Sequence, residues 1–111
     1  MGILLSKGID REVDGTIIEG ASIYIKGTEI ELTTVYVRIH FNTSLDGRSL
    51  MIYSNVFLNH TEYVNDNKLL TNINTNAFEV AILETEKQSI DTALIYTVEK
   101  FISYGFNAVI V

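Results

Sequence analysis

Two histidines, His40 and His60, are the first residues to weigh for chemistry. An imidazole can hold a metal or move a proton near neutral pH. A metal site needs three or more convergent ligands. Glu31, Glu62 and Asp66 are the acids that could complete one, and nothing in the spacing brings them to either histidine. Glu29 with Glu31, and Glu84 with Glu86, form i,i+2 carboxylate pairs on one strand face. Like charges so placed guard a sheet edge more readily than they do acid–base work. The chain has no cysteine, no GxSxG elbow and no glycine-rich phosphate loop. Asn65-Asp66-Asn67 opens like a calcium loop, yet the sixth and twelfth positions carry no Gly and Glu in either register. Asn42-Thr43-Ser44 and Asn59-His60-Thr61 match the glycosylation sequon, read here as chance in an Asn-rich chain. The expectation is therefore no enzyme, no catalytic residue, no metal and no cofactor.

Aromatic residues make the stronger signal. Tyr24, Tyr36 and Tyr53 fall on strand faces expected to point outward, and Met51 and Phe57 join them there. Tyrosine is enriched at protein interfaces, and outward apolar side chains need a partner. These five residues are the candidate interface.

Their positions depend on the elements that carry them. One stretch agrees in period, start and stop: Gln88 to Tyr104. Ser89 is an N-cap, Asp91 and Lys100 suit the helix dipole, and Gly105 suits a left-handed C′ residue. Phe106 at C″ should then clasp Phe101 at C3. Ile90, Leu94, Val98 and Phe101 share one face, widened by Ala93 and Ile102, with Ile95 at its edge. Thr92, Glu99 and Ser103 are left for solvent.

The preceding residues alternate as strands. Ala21 to Lys26 and Ile30 to Asn42 form a hairpin about Gly27-Thr28. Apolar parity switches between Leu32 and Val35, which predicts a β-bulge at Thr33-Thr34. A turn at Asp46-Gly47 leads into a strand over Ser49 to Leu58. Residues 1–15 read as an extended arm or a first edge strand followed by a loop; Thr16 to Glu19 is β-prone. Residues 59–76 read as a long Asn-rich loop, or two short pieces joined by one, with Leu69-Leu70 as anchor. Asn76 to Glu84 resumes as a strand, and Ala108 to Val111 makes a last one.

Composition sets the frame. The chain has 111 residues, 47% of them hydrophobic, which suits one domain with a real core. The net charge of -6 disfavours phosphate-rich partners, so no nucleic acid is expected. No apolar run approaches the roughly 20 residues that span a bilayer, and Met1 to Leu5 is too short for a signal segment. No membrane partner is expected. The fold expected is α+β: a curled, mostly antiparallel sheet, as a small barrel or sandwich, closed by one C-terminal helix.

The opening Met1 to Asp10 and the ending Ala93 to Val111 resemble small structural proteins of tailed bacteriophages, from the neck, tail or baseplate. Those proteins begin with a similar segment and carry a long β-ribbon. They close with a helix patterned like Ala93-x-x-Tyr96-x-x-x-x-Phe101 and a tail like Ala108-Val109. The chain departs from them in its Asn-rich loop and in lacking proline near the helix end. The resemblance implies a virion subunit, made in the host cytoplasm, whose partners are other virion proteins and copies of itself. It brings no catalytic residues. The alternatives are a soluble carbohydrate- or peptide-binding module, a small enzyme, and an acidic mimic of nucleic acid. The spread of the acids along the chain counts against the last.

Overall fold

The computed structural model describes residues 1–73, 77–83 and 85–111. The chain is α+β. Strands β1 (Ile3–Ser6), β6 (Thr34–Thr43), β7 (Ser49–Phe57), β8 (Phe78–Ala81) and β9 (Asn107–Ile110) form an antiparallel sheet in the order β8-β7-β6-β1-β9. It curls into a half-barrel, and helix α2 (Ile90–Ser103) closes it. Two ribbons stand apart: β2 (Arg11–Val13) with β3 (Thr16–Ile18), and β4 (Ile23–Tyr24) with β5 (Glu31–Leu32). A short helix, α1 (His60–Val64), follows β7.

Helix α2 begins and ends as its sequence predicts. Ser89 Oγ accepts from the Thr92 amide. At the other end the Phe106 amide donates to Phe101 O, and the Gly105 amide to Ile102 O. Gly105 sits at φ +94°, and the Phe101 and Phe106 rings meet edge to face at 6.4 Å. This is the Schellman ending with its apolar clasp.

The buried stripe differs from the expected one. Ala93, Leu94, Thr97 and Phe101 are buried, with Val98 partly so. Ile102 is exposed, as is Ile90 in the first turn. Apolar type alone drew the face too far towards Ile102. The row 93, 97, 101 at i,i+4 spacing runs through the contact, and its middle member is a threonine. Thr97 is tolerated there because its hydroxyl donates to Ala93 O at 2.7 Å.

Leu94, Phe101, Ile3, Leu5, Val35, Val37 and Val56 make the main core, while Ala93 packs with Leu50, Ile52 and Ile82. Gln88 ties the helix entry to the β6–β7 turn, donating to Ser44 O and Ser49 O. That turn has the expected form, with Gly47 at φ +73° and Ser44 Oγ donating to Asp46. The Ser44 hydroxyl and the Arg48 amide hold the Asp46 carboxyl below its ordinary pKa.

Tyr96 donates to Glu86 at 2.5 Å, and the Leu83 amide donates to the same oxygen. The Tyr96 bond, then the Leu83 amide, lower the Glu86 pKa; the Glu86 bond raises that of Tyr96. A depressed carboxylate stabilises above its unfolded pKa and loses that contribution as pH falls through the folded one. A raised phenol stabilises at lower pH and loses its contribution as pH rises through the folded value. The pair therefore holds the α2 entry between the two limits. Glu86→Gln is expected to return the Tyr96 ionisation towards the ordinary phenol value and to flatten the acid limb of stability against pH. Ultraviolet titration and melting at stepped pH check both.

Three expectations are corrected. Strand β1 is neither an arm nor an edge: it lies between β6 and β9, and Ile3 and Leu5 are fully buried. The parity switch is not a bulge within one strand. The chain breaks at Thr33, so β5 pairs with β4 while β6 pairs with β1, and each segment keeps its own phase. Residues 59–73 are not one long loop: α1 occupies His60–Val64, which the alternative of short pieces joined by a loop allows. The β4–β5 hairpin, with Gly27 at φ +76°, and strand β9 stand as expected. Asn74, Asn76 and Glu84, which the expected loop, strand and second carboxylate pair include, lie outside the described residues.

The ribbons are joined to the sheet where three backbone segments meet. The Gly8 amide donates to Ala21 O, and the Ala21 amide to Gly105 O, each at 3.0 Å. A Cβ on Gly8 would lie 1.6 Å from Gly105 O, and one on Gly20 1.9 Å from Gly8 O. Only residues without side chains permit this approach.

Candidate functional site

The register of β6 against β7 puts Tyr36, Arg38, His40 and Asn42 opposite Phe57, Asn55, Tyr53 and Met51. Side chains alternate across a strand, so these eight share the face turned away from α2. Four of the five candidate interface residues, Tyr36, Met51, Tyr53 and Phe57, are thus brought onto one surface. Tyr24 is not. It lies half-buried in the β4–β5 ribbon, and its amide donates to Asn72 Oδ1 at 2.7 Å. Asn72 Nδ2 donates to Ser22 O in turn, so this asparagine holds the ribbon in place.

Helix α1 then divides that surface. Asn59 caps it by accepting from the Glu62 amide at 2.9 Å. It ends on Asp66 at φ +56°, with the Asp66 amide donating to Tyr63 O and the Asn67 amide to Glu62 O. This repeats the Schellman ending, with aspartate in place of glycine. The helix lays Tyr63 edge-on against Phe57 at 5.2 Å and tilted against Tyr36 at 5.7 Å. His60 meets Tyr36 edge to face at 5.4 Å. Tyr36 and Phe57 are consequently 7% and 3% exposed. Their outward parity holds, but this chain covers them itself. Met51 and Tyr53 remain half-buried. His40 stacks on Tyr53 with centroids 4.8 Å apart and planes 6° apart, a cross-strand pair on an open face.

Beside α1 the surface dips into a groove of about 520 Å³, lined chiefly by Met1, Leu4, Tyr36, Arg38, Leu58 and His60. Gly2 lets the chain pass close to Tyr36, one of the lining residues: a Cβ there would come within 2.6 Å of the Tyr36 ring. Arg38 lies over the Tyr63 ring at 4.5 Å and donates to the Tyr36 hydroxyl at 3.2 Å. Among the described residues it makes no ion pair. The groove therefore offers apolar walls and one guanidinium held in place by aromatic groups. Among the described residues no group of three or more His, Asp and Glu could hold a metal ion.

Sequence reasoning missed a second surface. The β2–β3 ribbon turns at Asp14-Gly15, with φ +52° and +80°, and every residue of both strands is exposed. Val13, Ile17 and Ile18 are among them, and Ile9 at the approach is 81% exposed. Two consecutive residues with positive φ make the turn that twisted hairpins favour. The Asp-Gly pair was the signal for it.

Among the described residues no helix is long and apolar enough to cross a membrane. No protein-family model matches the chain, and no curated protein or solved structure matches it.

Proposed function

We propose that the chain is a structural subunit that works through protein–protein contacts, within the neck, tail or baseplate of a phage virion. The β2–β3 ribbon carries the assembly reading. A two-stranded hairpin is marginal in water unless something covers it. This one presents Val13 and Ile18 on one face and Ile17 on the other, all exposed. Apolar residues on both faces of a projecting ribbon suit a clasp between neighbouring subunits. The place in a virion rests on the resemblance of the two ends of the chain.

Mass photometry and sedimentation over a range of concentrations test the assembly reading. A discrete oligomer is expected. Ile17→Ser with Val13→Ser should shift it towards monomer while leaving the monomer's melting temperature within about 2 °C, since exposed substitutions cost little. A wild-type chain that stays monomeric at high concentration would remove the assembly reading. It would favour a second one, a peptide-binding module. The observation behind that reading is Arg38, a guanidinium in an apolar groove that makes no ion pair among the described residues, which suits a peptide carboxylate.

A further inference from the structure

The geometry points to strand β9 as the edge through which two copies of this chain pair, their sheets joined antiparallel about a twofold axis with Val109 facing Val109. This rests on the assembly reading above and names one of its contacts.

The sheet has two edges, β8 and β9, and they differ in how they are guarded. Natural edges carry charges, prolines or bulges that deter pairing. On β8, Glu79 is charged, and the Lys100 ammonium lies 5.6 Å from the Phe78 ring centroid. From Tyr104 to Val111 there is neither a charged side chain nor a proline. In a chain of net charge -6, this is a stretch where two copies can meet without like-charge repulsion.

The hydrogen-bond phase restricts the register, and the one that pairs both open residues with each other centres on Val109. Gly2 and Val111 exchange both backbone bonds, at 3.1 and 2.9 Å. In an antiparallel pair such residues alternate with ones whose amides and carbonyls point the other way. Val109, opposite Leu4, therefore bonds inward to β1, while Ala108 and Ile110 present theirs to the open edge. A second β9 laid antiparallel satisfies these groups when Ala108 of one copy meets Ile110 of the other. Val109 then faces its own copy in the narrow, non-bonded pair, with Cα atoms about 4.5 Å apart.

The flanking surface fits the same partner. Val109 is 48% exposed, and Leu4, Met1 and Val111 extend an apolar strip beside it to the groove. Such a strip is self-complementary across a twofold axis, as an isologous contact requires.

The chain has no cysteine, so a single introduced thiol can bond only between chains. The separation of a non-bonded pair lies within disulfide range. Val109→Cys is expected to form covalent dimer under mild oxidation at least tenfold faster than Leu45→Cys, a control in a fully exposed turn. Val109→Lys should weaken self-association at least tenfold and leave the circular dichroism of the monomer unchanged. If Val109→Cys reacts no faster than Leu45→Cys, or Val109→Lys leaves self-association as it was, the edge pairing is wrong. An oligomer that survives Val109→Lys overturns this contact alone; a wild-type monomer overturns it together with the assembly reading.

Discussion

Gly8→Ala should cost the chain about 3 kcal/mol or more, a large part of the roughly 5–15 kcal/mol that holds a domain together. The new Cβ would lie 1.6 Å from Gly105 O and 2.8 Å from the Gly105 carbonyl carbon. Both are backbone atoms, so no side chain can rotate away. Relief requires moving the segment around Gly8 from that around Gly105. That movement breaks the bonds from Gly8 to Ala21 and from Ala21 to Gly105. Each such bond contributes about 1 kcal/mol. Gly15→Ala is the comparison. It meets no atom within 4 Å, and its cost is that of a left-handed residue, about 1 kcal/mol. Urea unfolding of the two variants should therefore separate them by about 2 kcal/mol or more, with Gly8→Ala the worse. Equal losses would mean that the three segments do not meet as described.

The expectation for α2 succeeded because its determinants are local. Ser89, Asp91, Gly105 and Phe106 act on backbone groups within a few residues of themselves, so their meaning is visible in a short window. Thr33 shows the opposite case. A switch of parity says that the phase changes, but a bulge and a break produce the same pattern. The choice depends on which strands stand alongside, and while β4 is the local hairpin partner of β5, the partner of β6 is β1, distant in sequence. The same holds for Ile3–Ser6. Its apolar alternation is too short to show that strands flank it on both sides.

The site was legible by face and not by cover. Alternation placed Tyr36, Met51, Tyr53 and Phe57 together, and the register agrees. Helix α1 has five residues, fewer than two turns, so no hydrophobic period could reveal it. Its ends were written in the sequence all the same, as Asn59 three residues before Glu62 and Asp66 just past the last turn. In a stretch rich in asparagine these caps looked like loop. With Tyr36 and Phe57 covered by Tyr63 and His60, exposed apolar surface is found instead at Met1 and Leu4 on the groove rim and at Val13, Ile17 and Ile18 of the ribbon.

Leu94→Ala should lower stability by about 3 kcal/mol and the melting temperature by roughly 12 °C or more. Leu94 is 1% exposed and packs in the cluster that joins α2 to β1, β6 and β9. Truncation loses the transfer energy of the buried methyl groups and leaves a cavity that fixed strands on three sides cannot fill. Ile95 is the next residue on the same helix and is 52% exposed. Ile95→Ala changes the helix by a similar amount of aliphatic surface, yet alanine is the better helix former. Its expected change is within about 0.5 kcal/mol of zero. The pair thus isolates docking from helix propensity. A denaturant slope unchanged in Leu94→Ala would show that the same surface still unfolds as one unit. Losses of equal size at Leu94 and Ile95 would mean that α2 does not close the half-barrel with this face, and the shared core of sheet and helix would have to be abandoned.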